Sequence, residues 1–407
     1  MRLPRPAAAA LGVGAALVWA GAAYLLWRTT VPSSLRLPHL DPHAYFSPAE
    51  LRRSASFSRV EDAIWWVSTV GQLAALALFA RFGGRWARES AAGPLGTGML
   101  LGMLGFALVW AVELPAGVVD LWWQRRHGLS HVGYATSLFG GWLALGGQFV
   151  FLCVALAIVM GLARVLPRHW WLAASPVFVG LVVLFTLISP YLLSTHALDD
   201  PALAADVRQI EASEHIGHVP VVVENVRDAT SLPNAEATGL GPTRRIVLWD
   251  TMVDGRFTTS ELRFTIAHEA THLARNHLWK DAGWFALFAF PGTFLLRLAT
   301  RRRGGMGEPA AIPLSLLVLV ALQLLALPAQ NAISRHLEAE ADWGALQTTH
   351  DPAGGIGLFR RFVPTTLEAP SPSTVDYLLL ENHPTIMQRL AMVVAWRREA
   401  AGHAPGS

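Results

Sequence analysis

The feature that most constrains this chain is a succession of apolar stretches too long to serve as the core of a soluble domain. Runs at Ala7–Trp27, Ala63–Ala80, Leu95–Val112, Tyr134–Leu162 and Trp170–Leu193 reach the roughly 17–25 residues that a helix needs to cross a bilayer. Two more, Trp284–Leu298 and Ala311–Leu327, lie near the lower limit of that range. Inside lipid every backbone N–H and C=O must be satisfied within the segment, so such runs are helices. Composition agrees, because 53% hydrophobic and 15% charged residues make the 407-residue chain too apolar for an ordinary soluble protein.

The flanks of the runs fit this reading. Arg2 and Arg5 precede the first run, and Trp27 and Arg28 close it, which reads as an anchor rather than a cleaved signal. Trp65, Trp66, Trp110, Trp170 and Trp171 fall near span ends, where interfacial aromatic belts account for them. A net charge of +3 gives no case for nucleic acid as a partner. The single Cys153 excludes an internal disulfide, and the tail His403–Ser407 offers no Cys for prenylation.

Four regions follow: a membrane domain of about five spans over residues 1–193, a soluble segment over 194–282, a helical hairpin over 283–330, and a second soluble segment over 331–407. Residues 31–62 read as a polar loop. In the first soluble segment, Pro201–Ile216 has helical spacing, while Val219–Val226 and Arg245–Trp249 read as strands. In the second, helices are expected at His336–Gln347, Gly354–Phe362 and Pro384–Ala400.

Between the strands and the hairpin stands His268-Glu269-Ala270-Thr271-His272. Two His four apart share one helical face, so both imidazoles reach one tetrahedral Zn²⁺. Glu269 then lies beside the metal, where a carboxylate can take a proton from water that the metal has acidified. Thr258 and Glu261 form a capping box that starts this helix, which is expected to run to about His277 with one polar face beside the bilayer. The plainer alternative is two polar-face His on a solvated helix. A catalytic zinc needs a third protein ligand and an open fourth position. Glu338 is the best candidate, because Asp342 lies four residues on and can accept the other ring N–H of a ligating His. Glu340 points elsewhere, and an exposed acidic helix is the alternative for this segment. A hairpin of two spans would return Glu338 to the side of the membrane that the chain left after His272.

These blocks, in this order, resemble the seven-span type I CaaX prenyl proteases and their bacterial relatives. The resemblance rests on Asn234-Ala235, Arg245-Ile246-Val247-Leu248, Asp250-Thr251, His268 to His272, Ser334 to Asp342, and His383-Pro384 with Arg389-Leu390. Leu114-Pro115 and His127-Gly128-Leu129 add weaker matches in the loop after the third span. It implies that Glu338 is the third zinc ligand and that Asn234 lies on the edge that binds the substrate backbone as an added strand. It also implies that His383 and Arg389 face the oxyanion of the tetrahedral intermediate. The residues alone allow His383 to be a helix cap and Arg389 a surface charge. Glu236 departs from the family, which often carries an aromatic there, so preference beside the zinc is expected to differ.

The expected fold is therefore a mainly α membrane protein of about seven spans with a small α+β gluzincin-type domain interrupted by a helical hairpin. The expected function is a zinc metalloendopeptidase, with one Zn²⁺ per chain, acting on a membrane-associated or lipid-linked peptide. The alternatives are a membrane quality-control metalloprotease, a zinc-binding scaffold without activity, and a transporter. A scaffold zinc site would be closed by four ligands, often Cys, and ionisable residues within the spans are too few to mark a transport path. The chain is expected in the cell membrane with its catalytic side in the cytoplasm. An arginine tally leans towards the opposite orientation.

Overall fold

The computed structural model of the protein describes residues 5–88, 92–140 and 142–402; Arg2 and the His403–Ser407 tail fall outside them. The chain opens with five long helices, α1 (Arg5–Leu26), α2 (Pro48–Phe82), α3 (Gly93–Arg126), α4 (Trp142–Val165) and α5 (Trp170–Ile188). Then come β1 (Thr195–Ala197), α6 (Pro201–Glu214), β2 (Val221–Glu224), β3 (Ala235–Thr238) and β4 (Arg245–Trp249). Helix α7 (Thr259–Ala274) carries the two-His motif, and α8 (His277–Thr300) and α9 (Ile312–Thr349) form the hairpin. The chain closes with α10 (Pro352–Thr366), α11 (Thr374–Leu379) and α12 (Ile386–Gly402).

Helices α2, α3, α4, α5, α8 and α9 are long and apolar enough to cross a membrane, and α1 adds a shorter apolar stretch over Gly12–Leu26. The protein is an integral membrane protein. Its spans form a circuit of neighbours: α2 packs on α3, α3 on α4, α4 on α5, α5 on α8, α8 on α9, and α9 on α2, while α3 also touches α9 across the circuit. Within their apolar windows few residues of the spans are fully buried, from 6% in α8 to 28% in α3, as suits helices with a face turned to lipid.

Several expected boundaries move. Residues 48–62 belong to α2 rather than to a loop, because Ser47 and Glu50 form a capping box that starts the helix well before its apolar part. The fourth span begins only at Trp142, after a short π-helical turn over Thr136–Gly140. Helix α7 stops at Ala274 rather than His277, since Asn276 adopts a left-handed conformation (φ 55°) that a short polar side chain tolerates. Helix α9 runs without a break from the span through Pro328 and Glu338 to Thr349, so residues 330 and 331 lie inside one helix. A proline costs a helix one hydrogen bond, and neighbouring helices make that tolerable.

The sheet has the order β1-β2-β4-β3, with β2 and β4 parallel and the outer strands antiparallel to them. Residues 235–238, set between the turn-forming Pro-Asn-Ala and Gly-Leu-Gly-Pro segments, become an edge strand because Ala235 and Ala237 pair with Leu248 and Ile246. One core holds the catalytic part together, with Leu203, Ile210, Ile246, Leu248, Phe264, Ile266, Leu346, Phe359 and Leu390 all nearly fully buried. A separate cluster around Phe79, Met160, Trp170 and Ile312 packs the opposite ends of the spans.

Candidate metal centre

The site is built on α7. Thr258 caps it reciprocally with Glu261, and Glu261 is in turn held by Arg361 of α10 through two bonds of 3.0 Å. The expected polar face is not solvated: Glu261, His268, Glu269 and Thr271 are buried along with Phe264, Ile266, Ala267 and Ala270. That face is turned to α9 and to the edge strand instead of to water. Its distance from α9 depends on Gly344, where a Cβ would stand 2.4 Å from Thr271 Cγ2. Any side chain at residue 344 would have to displace Thr271 or push α9 away from α7.

Across this contact three side chains converge. His272 Nε2 is 3.2 Å from His268 Nε2, Glu338 Oε2 is 3.2 Å from His268 Nε2, and Glu338 Oε1 is 3.5 Å from His272 Nε2. Bonds of roughly 2.0–2.1 Å to a tetrahedral zinc imply ligand-to-ligand separations of about 3.3 Å, so the spacing fits that ion. Glu338 Oε2 is buried and has no hydrogen-bond partner among the described residues, an expensive state for a carboxylate unless a cation takes it. The donor set of two imidazoles and one carboxylate suits zinc and leaves a fourth position for water or substrate.

The partners of the rings set their tautomers. His268 Nδ1 lies 2.9 Å from Asp342 Oδ1 and donates to it, which leaves the Nε2 lone pair facing Glu338. Asp342 is fixed by Arg389, whose Nε and Nη2 donate to it at 2.8 and 2.6 Å. Burial lowers the His268 pKa, but the Asp342 and Glu338 carboxylates more than reverse this and raise it to about 10. Burial pushes His272 down to about 3, so that ring is neutral. The cluster therefore calls for positive charge, which a dication supplies without protonating a ligand. Burial pushes the Glu269 carboxyl up to about 7; His268 opposes the rise, Glu338 adds to it, and the Ala237 N–H of β3 opposes it.

The remaining expected residues divide. Asn234 is exposed at the start of β3, where its carbonyl accepts from Trp249 N–H at 2.9 Å. His383 is exposed, with Nε2 3.4 Å from Glu338 Oε2 and Nδ1 2.7 Å from Asn382 Oδ1. It is not the helix cap, because Thr385 and Gln388 bond reciprocally ahead of α12 and leave Pro384 outside that helix. Arg389, expected to face an oxyanion, is instead buried, clamped on Asp342 and stacked over Phe359 at 4.3 Å. Asp250 accepts from Val226 N–H and Arg227 N–H and pairs with Arg227, while Thr251 donates to Leu232 O. That block shapes the loop leading into β3. The loop after α3 braces the same segment, with Thr230 donating to Leu129 O at 2.8 Å.

Two residues of the site were given no role by the sequence: His277 entered only as the expected end of the helix, and Glu340 as a carboxylate pointing away from the metal. His277 and Glu340 are each 1% exposed and lie behind His272. The one signal for His277 was a third His five residues past the motif, which only the turn at Asn276 makes meaningful.

Residues 197–397 match the sequence model of peptidase family M48. The catalytic part of the chain is an M48 metalloprotease domain. Metalloproteases of this family depend on zinc and cleave peptides or proteins. The chain is 22% identical over 395 residues to "Uncharacterized metalloprotease YhfN" of Bacillus subtilis, covering 90% of this chain and 91% of that one. It is 27% identical over 276 residues to "Protease HtpX homolog" of Ligilactobacillus salivarius, covering 60% of this chain and 92% of that one. The crystal structure of Ste24p from S. mikatae superposes with a TM-score of 0.74 at 18% identity, covering 97% of this chain and 100% of that one. At that identity the likeness speaks for the fold. The fold described above, spans and catalytic part together, is thus shared with a solved structure.

Proposed function

We propose that this M48 metalloprotease cleaves peptides presented from the membrane at a single zinc ion held by His268, His272 and Glu338. The observation that carries the reading is the near-tetrahedral spacing of these ligands beside Glu269. When bound, zinc would supply the Lewis acidity that polarises the scissile carbonyl and makes water a nucleophile near neutral pH. Glu269 takes the proton of the attacking water on its carboxylate and returns it to the leaving amine. His383, on the open side of the cluster, donates to the developing oxyanion. Asn234 and the free edge of β3 bind the substrate backbone as an added strand. Arg389 acts through Asp342, which it holds in place for His268, and so is a positioning residue.

The substrate class rests on the circuit of spans. The spans hold the catalytic part against the bilayer, so the lipid-borne part of a substrate can stay in the membrane while its peptide reaches β3. An HtpX-like quality-control reading accounts for less of the molecule, since that relative matches 60% of the chain, against 97% for the Ste24p fold. We assign the zinc side to the cytoplasm of a cell-membrane protein on the family resemblance. Sided labelling of a cysteine placed at Ser371 against one at Arg302, in a Cys153→Ala background, checks this assignment.

The test of the chemistry is Glu269→Gln, assayed on membrane-anchored peptides that the wild type cuts and a chelator protects. The variant should keep its zinc and lose roughly 10²- to 10⁴-fold in turnover. Cleavage at the wild-type rate would refute the mechanism.

A further inference from the structure

We infer that His277 and Glu340 form a second positioning relay for the zinc centre, one that sets the tautomer of His272 through an intervening imidazole. The inference rests on the ligand assignment proposed above and adds residues to it. His277 Nδ1 is 3.0 Å from His272 Nδ1, and His277 Nε2 is 3.0 Å from Glu340 Oε2. Glu340 also accepts from the Thr30 backbone N–H at 2.7 Å and from Lys280 Nζ at 3.0 Å.

Proton bookkeeping along this chain leaves one arrangement. Glu340 accepts on both oxygens, from a backbone amide and from an ammonium, so it is a carboxylate and His277 Nε2 must carry a hydrogen towards it. A neutral His277 then has its lone pair on Nδ1. That atom accepts the Nδ1–H of His272, and the only lone pair left on His272 is on Nε2, which faces Glu338 and His268. The whole sequence of bonds delivers a neutral His272 with its metal-binding nitrogen bare.

The two ligand rings are thus prepared in different ways. His268 has a carboxylate directly behind it, whereas His272 has an imidazole and then a carboxylate. An outer hydrogen bond orients a ligand ring and raises its basicity. Here the charge of Glu340 reaches His272 through a ring that can pass on orientation and polarisation. The fold commits a good deal to this arrangement. Asn276 turns the chain at φ 55° so that α8 begins with His277 under His272, and both relay residues are removed from water. Lys280 also donates to Arg28 O at 3.1 Å, so the end of α1 is tied to the same carboxylate.

The test uses the full-length protein in detergent, stripped of metal and retitrated with Zn²⁺ against a competing chelator. The wild type should bind one zinc and Glu338→Ala should not; if either fails, the ligand assignment is wrong. With those controls in place, His277→Leu should weaken zinc binding by roughly 10- to 100-fold. His277→Gln, whose amide can accept from His272 and donate to Glu340, should recover much of the loss. The visible spectrum of the Co²⁺-loaded protein should shift in His277→Leu and return towards wild type in His277→Gln, which a purely space-filling role would not produce. Should His277→Leu fail to fold, Glu340→Gln serves instead, with weaker Zn²⁺ binding expected at unchanged melting temperature. Wild-type affinity and an unshifted Co²⁺ spectrum in a folded His277→Leu, or wild-type affinity in Glu340→Gln, would overturn the relay.

Discussion

The two halves of α9 obey opposite rules although they are one helix. Its first half presents Leu319 at 48% and Leu325 at 78% exposure, while in its last turns Glu340, Ala341, Asp342, Ala345 and Leu346 are all at or below 1%. Past its packed first turn around Ile312, positions such as Leu319 and Leu325 accept almost any apolar residue, because the requirement there is solubility in lipid and backbone bonds closed within the helix. In the second half each position meets a particular partner: Asp342 meets His268 and Arg389, Glu340 meets His277, and Gly344 meets Thr271. Composition builds the membrane part, and residue identity builds the site.

Three substitutions would sharpen or break this contrast. The largest effect is expected for Asp342→Ala, which frees the His268 ring and leaves the buried Arg389 guanidinium without its partner. Zinc affinity should fall by roughly 10- to 100-fold, measured by chelator competition, with the membrane helices intact by circular dichroism. Affinity equal to wild type would show that the last turns of α9 are no more exacting than the first.

Gly344→Ala comes next. The new methyl must displace Thr271 or separate α7 from α9, and overpacking of this kind typically costs about 1–3 kcal/mol. Lowered thermal stability together with reduced zinc content is the expected result; a stable variant with full zinc would mean that the spacing of the two helices does not set the site. Smallest of all should be Leu325→Ala. Exposed as it is, this side chain should contribute within about 0.5 kcal/mol, and zinc binding should not change. A measurable loss of zinc in Leu325→Ala would join the two halves of α9 energetically and end the comparison.

Much of the site could be read from the chain, because it lies within short segments whose geometry is local. The four-residue spacing of His268 and His272, and of Glu338 and Asp342, follows from helical repeat alone. The capping box at Thr258 and Glu261 likewise needs only its own turn. What escaped depended on where segments meet. Arg389 reads as a catalytic or surface charge until α12 brings it against Asp342, and Glu340 reads as a spare carboxylate until α8 sets His277 and Lys280 beside it. The edge strand at 235–238 escaped the residue pattern because its pairing with β4, rather than its composition, makes it a strand.

By itself, then, the sequence determined that this chain lives in a membrane, that it carries helices of spanning length, and that one of its helices presents two imidazoles and a carboxylate on one side. Those properties come from hydropathy, backbone hydrogen bonding and the 3.6-residue turn, which act over a few residues. Only the tertiary structure decided that the span before Glu338 continues into the ligand helix, that the polar residues Glu261, His268, Glu269 and Thr271 of α7 are buried, and that each ligand His is backed by its own partners. Hydrogen bonds between residues 63 to 74 positions apart have no local signature, since they arise only when packing removes both groups from water and sets one against the other.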